Sequence, residues 1–140
     1  MKNKCPLRRR VLIVDDEPPA RRRLKRLLGA HPEVEVVGEA EDADEAAGAI
    51  DTLRPDLVFL DIRMPAGSGF DALARAEHRP LVVFVTAYDE YALRAFEADS
   101  LDYLLKPVTD DKLARCLEKM ARLAPREPSP FPSLQDAMEK

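Results

Sequence analysis

Five short apolar runs, each followed by a helix-like pattern, constrain the fold of this chain most strongly. The runs are rich in Val, Leu and Phe, as expected of β-strands, and they occupy residues 11–14, 34–40, 57–62, 81–85 and 103–105. Three of them are continuously apolar, which is typical of strands buried on both faces of a parallel sheet. The run at 34–40 contains the alternating stretch VEVV, which suits an edge strand.

The segments between the runs carry helix start signals and apolar residues at helical spacing. The start signals are Pro18, Asp42 with Glu45, Ser68 with Asp71, Asp89 and Thr109. Strand alternating with helix five times predicts an α/β fold, a doubly wound five-stranded parallel sheet with five helices and right-handed crossovers.

The chain divides by composition into three parts. With 140 residues, of which 46% are apolar, it can form one domain with a short tail. We expect a basic leader at 1–8, a domain at 9–123 and a Pro-rich linker or tail at 124–140. The prolines of the tail disfavour helix and favour an extended linker, so we expect it to lead to an output domain absent from this sequence.

Charge is distributed unevenly. Residues 1–32 hold ten Lys or Arg against three acidic residues, whereas the rest holds 12 basic and 23 acidic residues. A mainly acidic domain lacks the broad basic footprint of a nucleic-acid binder, so we expect no direct contact with DNA. The basic cluster at 21–26 has two interpretations, a solvated helix face or a docking face for an acidic partner.

The sequence also indicates a compartment. No apolar run approaches the length needed to cross a bilayer, and the N-terminus lacks the apolar region and cleavage site of a secretory signal. Cys5 and Cys116 lie far apart without CxxC or His partners, which gives no case for a disulfide framework or a zinc site. We therefore expect a protein of the reducing cytoplasm with no membrane partner.

Acidic, hydroxyl and ammonium side chains follow four of the predicted strands. Open α/β sheets bind ligands at the carboxyl ends of their strands, where these side chains would converge. They are Asp15 and Asp16 after the first strand, Asp61 after the third, Thr86 after the fourth and Lys106 after the fifth. Single residues of these types are ordinary caps and turn residues, but their joint placement at four strand ends predicts a site.

Three carboxylates in one crevice repel one another, and this raises the pKa of at least one unless a cation intervenes. Mg²⁺ suits such a site because it prefers oxygen ligands, needs few carboxylates and keeps several waters. A carboxylate is also a competent nucleophile toward phosphorus, and phosphoryl transfer depends mainly on positioning and charge neutralisation. Lys106 would supply a charge and Thr86 a hydrogen-bond donor for phosphoryl oxygens.

The motifs at these strand ends resemble a known family. The stretches VLIVDDEP, LVFLDIRMP followed by Gly69, VFVTAY and DYLLKP are similar to the CheY-like receiver domains of bacterial response regulators, over residues 9–123. The stretch TAYDEYALRAFEADSLDYLLKPV further resembles receivers of the LytTR subfamily (AlgR- and LytR-like), whose output is a DNA-binding domain. The resemblance implies a flavodoxin-like sheet with the strand order 2-1-3-4-5.

The resemblance also implies a role for each acidic residue. Asp61 would be the phosphoacceptor. Mg²⁺ would be bound by Asp16, Asp61 and the backbone carbonyl of Arg63, while Asp15 would act mainly through water. Ala66-Gly67 departs from the Gly followed by a bulky residue that is frequent in the family, which leaves the shape of that loop open.

The remaining implied roles concern the last two strands. Lys106 would pair with the phosphoryl group and Asp61, and its bond to Pro107 would be cis. Thr86 would move toward the phosphoryl oxygen, and Tyr103 would follow by rotating inward. The alternative for Tyr103 is that of a half-buried packing residue.

The family resemblance implies partners and limits the chemistry. A sensor histidine kinase would supply the phosphoryl group, and the fourth helix, last strand and fifth helix would form a homodimer surface after phosphorylation. The chemistry would be self-phosphorylation and autodephosphorylation only, not that of a conventional enzyme. DNA would be bound only by the absent C-terminal domain; the alternative is a stand-alone signalling module acting on a protein target.

Two other classes of protein fit less well. A phosphatase of the haloacid dehalogenase type also uses a strand-end Asp with Mg²⁺, but it requires DxDx[TV], and this chain has Asp15-Asp16-Glu17-Pro18. A flavodoxin-like electron carrier needs a Ser/Thr/Gly-rich loop after its first strand, where the carboxylates of this chain would repel the phosphate of FMN.

Overall fold

The computed structural model describes residues 8–64, 67–88 and 100–123. The leader up to residue 7, the helix predicted to start at Asp89, and the Pro-rich tail lie outside the described residues. In chain order the elements are β1 (Arg9–Val14), α1 (Pro18–Leu28), β2 (Val34–Ala40), α2 (Ala43–Leu53), β3 (Leu57–Leu60), β4 (Arg63–Met64), β5 (Gly67–Ser68), α3 (Gly69–Arg75), β6 (Leu81–Thr86), β7 (Asp102–Leu105) and α4 (Asp110–Leu123).

Five of the strands form one parallel sheet in the order β2-β1-β3-β6-β7. Counted among themselves these strands follow the order 2-1-3-4-5, and the alternating strand β2 lies at an edge, in agreement with the prediction. The described residues add one feature that the sequence pattern did not predict, a short antiparallel ribbon of β4 and β5. They contain four helices, because the fourth predicted helix, which starts at Asp89, falls outside them.

The sheet is covered on both faces, which explains why its inner strands are continuously apolar. Along β1, Val11 and Ile13 pack in the cluster that includes α1 and α4, whereas Leu12 and Val14 pack in the cluster that includes α2 and α3. This is the alternation of a strand buried on both sides. None of the helices in the described ranges is both long enough and apolar enough to cross a bilayer.

Local capping agrees with the sequence signals in part. At the start of α3, the Ser68 side chain accepts from the Asp71 N–H and the Asp71 side chain accepts from the Ser68 N–H, which completes the capping box. At the start of α2, Asp42 accepts from the Glu45 N–H at 2.8 Å, but the Glu45 carboxylate accepts from the Glu41 N–H instead. Asp42 is therefore a simple N-cap, and the reciprocal bond of a capping box is not formed there.

Candidate functional site

Three carboxylates meet at the carboxyl ends of β1 and β3. These strands are parallel neighbours, and the Asp61 N–H donates to the Val14 carbonyl at 3.0 Å, which places Asp61 beside Asp15. One carboxylate oxygen from each of Asp15, Asp16 and Asp61 lies within 4.8 Å of the others. Asp15 is 4% exposed and Asp61 is 5% exposed. The sheet thus holds two nearly buried acidic side chains next to each other, with Asp16 half-buried beside them.

Lys106 reaches into this acidic cluster from β7. Its Nζ lies 2.8 Å from Oδ2 of Asp15, 3.2 Å from Oδ2 of Asp61 and 3.3 Å from Oε1 of Glu17. The Lys106 N–H donates to the Thr86 carbonyl at 2.8 Å, which aligns the two strand ends, and the Lys106–Pro107 peptide bond is cis. One ammonium therefore contacts three carboxylates drawn from two separate strand ends.

The electrostatics of the cluster oppose full ionisation. Burial and, after it, the negative charge of Asp15 raise the pKa of Asp61 to about 6, although Lys106 works in the opposite direction. Burial also disfavours the ammonium of Lys106, but its contacts with Asp15 and Asp61 outweigh burial and raise its pKa above the ordinary value. Lys106 thus stays charged while the carboxylates remain in excess, which is an environment that favours an added cation.

The donor set fits Mg²⁺. Carboxylate oxygens are the ligands that this ion prefers, and three are within reach of one another. Two of the three, Asp16 and Asp61, border an open cleft of about 390 Å³, whose other lining residues are Glu17, Arg63, Met64, Ala87, Tyr88 and Lys106. The cleft leaves room for the waters that Mg²⁺ retains and for a phosphoryl group.

Thr86 and Tyr103 both contact the backbone of Tyr88. Thr86 is fully buried at the end of β6, and its Oγ1 accepts from the Tyr88 N–H at 3.3 Å. Tyr103 pairs with Phe84 across β6 and β7, is half-buried against the apolar cluster of α2 and α3, and donates its hydroxyl to the Tyr88 carbonyl. Tyr103 is thus a packing residue in this structure; its predicted rotation stays a prediction.

An arginine and an aromatic ring are in contact within the lining of the cleft. The guanidinium carbon of Arg63 lies 4.4 Å from the ring centroid of Tyr88, within the range of a cation–π contact. Both side chains are exposed. Both residues line the same cleft as Asp61, so the pair adds a positive charge to the lining.

The ribbon of β4 and β5 brings the chain back beneath Asp61. The Gly69 N–H donates to the Ile62 carbonyl at 2.9 Å, and a Cβ at Gly69 would lie only 2.5 Å from the backbone oxygen of Asp61. Glycine is therefore required for this close approach. Gly67 adopts a φ of 134°, which also favours glycine, while Ala66 lies outside the described residues.

The sequence indicates Arg63 and Tyr88 as residues lining the site, and both do line the cleft. It does not indicate the contact of Glu17 with Lys106 or the backbone contacts of Tyr88. Glu17 follows Asp15 and Asp16 directly, which is a usable signal, but its position is equally that of the N-cap residue before α1. The role of Tyr88 arises from its backbone, whose N–H and carbonyl bind Thr86 and Tyr103. Contacts of this kind cannot be predicted from residue type, because almost every residue has the same backbone N–H and carbonyl groups.

Comparison with known proteins agrees with this geometry. The family model for the response regulator receiver domain matches residues 11–118. The chain is 46% identical over 133 residues to the transcriptional regulatory protein BtsR of Salmonella typhi, an alignment that covers 93% of this chain and 56% of that protein. The Escherichia coli K12 protein of the same name is 44% identical over the same shares. The chain thus spans about half the length of these curated relatives.

Solved structures show the same fold. The response regulatory domain of mrkE from Klebsiella pneumoniae superposes with a TM-score of 0.73 at 33% identity, covering 81% of this chain and 95% of that one. The signal receiver domain of NarL from Mycobacterium tuberculosis superposes with a TM-score of 0.75 at 31% identity, covering 84% of this chain and 99% of that one.

Proposed function

Because the chain belongs to the response regulator receiver domain family, we propose that Asp61 accepts a phosphoryl group from a sensor histidine kinase. Phosphorylation then changes the surface that the domain offers to its partners. The domain is a signalling module whose own chemistry is self-phosphorylation and autodephosphorylation. The observation that carries the proposal is the contact of the Lys106 ammonium with Asp15 and Asp61 at 2.8 and 3.2 Å, beside Asp16.

Receiver domains bind Mg²⁺ at an acidic pocket, and the donor set of this chain fits that ion. We assign Asp16, Asp61 and the backbone carbonyl of Arg63 as ligands, with Asp15 acting through water. When bound, the ion would neutralise charge on the oxygens of the transferred phosphoryl group. Support for the assignment comes from the shared cleft that Asp16, Asp61 and Arg63 line.

The remaining steps use side chains of the protein. A carboxylate oxygen of Asp61 forms a bond to phosphorus while the bond between phosphorus and the leaving nitrogen or oxygen of the donor breaks, giving an acyl phosphate. With a pKa of about 6, most of Asp61 is ionised at neutral pH and can act as the nucleophile. The Lys106 ammonium and the Thr86 hydroxyl donate hydrogen bonds to the phosphoryl oxygens.

Thr86 and Tyr103 form the proposed switch. When Thr86 turns its hydroxyl toward the phosphoryl group, it gives up its bond with the Tyr88 N–H, and Tyr103 is bonded to the carbonyl of that same residue. A movement of Thr86 caused by phosphorylation of Asp61 would therefore reach Tyr103 in β7 through the backbone of Tyr88. Phosphorylation would shift the balance between two arrangements of this pair.

Labelling of the protein tests the phosphoacceptor. We expect acetyl phosphate with Mg²⁺ to add one phosphoryl group to the wild type and none to Asp61→Asn, as measured by intact-protein mass spectrometry. Asp56→Asn is the matched control, because Asp56 is an exposed carboxylate that accepts from the Arg10 N–H at the opposite end of the sheet. Phosphate stably attached to Asp61→Asn would show that another residue is the acceptor.

The output is proposed to be control of transcription through a C-terminal LytTR-type DNA-binding domain. Support comes from the relatives named transcriptional regulatory proteins, of which this chain matches about half, and from the Pro-rich stretch at 124–140. The alternative is a stand-alone module with a protein target. The coding sequence after Lys140 decides between them: roughly 100 further strand-rich, basic residues support the first, and a stop codon refutes it.

The kinase is proposed to dock on α1. Arg22 and Arg26 are exposed one helical turn apart, whereas Arg21 and Lys25 are in ion pairs with Glu39. Reversing the charge of Arg22 and Arg26 should slow transfer from the kinase and leave labelling by acetyl phosphate unchanged. Equal slowing of both reactions would count against docking at this face.

We place the protein in the cytoplasm. For the phosphorylated form we propose a homodimer, formed through the fourth predicted helix, β7 and α4. The described part of this face is a groove of about 500 Å³, in which Asp102 and Lys119 form an ion pair at 3.3 Å and Leu105 is exposed. Sedimentation should show a higher mass after beryllofluoride treatment. An unchanged mass would remove the dimer for this chain.

A further inference from the structure

Two arginines of the basic helix α1 bind backbone carbonyls next to the acidic site. Arg21 donates from Nη1 to the Asp15 carbonyl at 2.6 Å and from Nε to the Glu39 carboxylate at 3.0 Å. Arg23 donates from both Nε and Nη2 to the Val108 carbonyl, at 2.9 and 2.8 Å. The basic segment 21–26 therefore contains side chains committed to contacts within the domain as well as exposed ones.

The two acceptor carbonyls belong to separate parts of the site. Asp15 and Asp16 follow β1 and form what we call the acid arm, and residues 106–108 follow β7 and form the cation arm. In the sheet, β3 and β6 lie between β1 and β7, so backbone pairing does not connect the arms directly. Helix α1 contacts both arms, through Arg21 on one and Arg23 on the other.

Apolar packing leaves these arms incompletely supported. A cavity of about 400 Å³ lies between α1 and the strand ends, and its lining includes Asp15, Arg23, Lys106 and Val108. Residues around a void lack contacts on that side, so packing constrains their positions less. Arg23 and Val108 both line this cavity, and the hydrogen bonds between them supply part of the missing restraint. Arg21 lies outside the lining and holds the Asp15 carbonyl from the side of Glu39 in β2.

We propose that Arg21 and Arg23 are positioning residues that hold the acid arm and the cation arm at the separation at which Lys106 meets Asp15 and Asp61. Arg21 is itself held by its ion pair with Glu39, and Arg23 by two hydrogen bonds to one carbonyl. Small displacements of charged groups in a site of this kind strongly reduce their effect. The effect on phosphorylation rests on the proposed function, but the effect on geometry does not.

The test measures each arm separately. In Arg21→Gln, we expect the dissociation constant for Mg²⁺, measured by calorimetry, to rise about three- to tenfold, the size of one hydrogen bond from a charged donor. In Arg23→Gln, we expect the Mg²⁺ dissociation constant to change less than about twofold, while the rate of acetyl phosphate labelling at saturating Mg²⁺ falls about three- to tenfold. Arg21→Lys should recover part of the lost Mg²⁺ affinity.

Arg75→Gln is the matched control, because it loses an exposed ion pair with Asp44 away from the site. It should leave both quantities unchanged. If Arg21→Gln and Arg23→Gln match Arg75→Gln in both measurements, the proposal is overturned. Equal losses of affinity and rate in both variants, in step with a lowered Tm, would also overturn it, because they indicate general destabilisation.

A readout without phosphorylation separates this proposal from the proposed function. The backbone amide NMR signal of Lys106 should shift in Arg23→Gln and stay in place in Arg75→Gln. If the wild type is not phosphorylated on Asp61, the proposed function fails, while the Mg²⁺ affinities and this signal still test the two arms. If the Lys106 signal does not shift in Arg23→Gln, Arg23 does not position the cation arm.

Discussion

The two ends of the central sheet use similar residues in different ways. At the amino end, Arg10 donates its guanidinium to the carbonyls of Leu53 and Arg54, and the Asp51 carboxylate accepts from the N–H groups of Glu77 and His78. Each charge there binds neutral backbone groups. At the carboxyl end, carboxylates lie beside carboxylates and a single ammonium binds several of them.

The pKa values of one carboxyl from each end show what this difference means. Hydrogen bonds from the N–H of His78 and then Glu77 hold the pKa of Asp51 below its usual range. Burial and the charge of Asp15 instead raise the pKa of Asp61 to about 6. Residue type therefore does not separate a carboxylate that binds backbone N–H groups, such as Asp51, from one suited to chemistry, such as Asp61. What separates them is that Asp61 is buried beside another carboxylate.

Removing one cation from each end of the sheet is the strongest test of this difference between the two ends. Lys106→Met leaves two nearly buried carboxylates without their ammonium, so we expect the free energy of unfolding without Mg²⁺ to fall by about 3 kcal/mol and labelling to slow on the order of 100-fold. Arg10→Met should cost about 1 kcal/mol and leave labelling unchanged. Urea denaturation and mass spectrometry measure both, and similar losses from the two variants would refute the contrast.

Two glycines offer a second contrast in packing near and far from the site. Gly69→Ala places a methyl group against the Asp61 carbonyl, so we expect a loss of about 2 kcal/mol and slower labelling. A Cβ at Gly48, within α2, would meet nothing within 4 Å, so Gly48→Ala should stabilise the protein by about 0.5–1 kcal/mol. Thermal unfolding compares the two; a neutral Gly69→Ala would contradict the close approach beneath Asp61.

The pH dependence of stability should differ in sign between the two carboxylates. Because folding raises the pKa of Asp61 from 3.8 to about 6, the folded state binds more protons in this window, and its contribution to stability falls as pH rises from about 4 to about 6. We expect the free energy of unfolding to fall by about 3 kcal/mol across this window without Mg²⁺. The fall should be absent in Asp61→Asn and reduced by Mg²⁺.

Asp51 should behave in the opposite way. Its pKa is lowered by folding, so its contribution is present above the ordinary Asp pKa and is lost as pH falls through the folded value. Asp51→Asn should therefore be less stable than the wild type at neutral pH and match it in acid. Parallel pH profiles for Asp51→Asn and Asp61→Asn, each compared with the wild type, would contradict the contrast.

The parts of this molecule that sequence predicts are those set by local pattern or by strand direction. Alternation in β2 and continuous apolar runs in β1 and β3 follow directly from which faces are buried. The convergence of Asp61 and Lys106 follows from parallel strands ending at one edge of the sheet. The capping box of Ser68 and Asp71 is likewise a local feature.

Contacts that depend on side-chain reach across the fold were not predictable. The sequence marks Arg21 and Arg23 as basic residues on a helix, and only the tertiary structure shows that they bind the Asp15 and Val108 carbonyls. The second half of the predicted Asp42–Glu45 capping box is absent because the Glu45 carboxylate accepts from the Glu41 N–H instead. The β4–β5 ribbon is too short to carry a pattern.

The central claim is that side chains from four strand ends meet around one cation and one nucleophilic oxygen. A crystal structure of the protein with Mg²⁺ and beryllofluoride tests it most directly. We predict beryllium bonded to a carboxylate oxygen of Asp61, Mg²⁺ bound by Asp16, Asp61 and the Arg63 carbonyl, and Lys106 Nζ and Thr86 Oγ1 within hydrogen-bond distance of fluoride. Beryllofluoride on another carboxylate, or Lys106 turned away from Asp61, would contradict it.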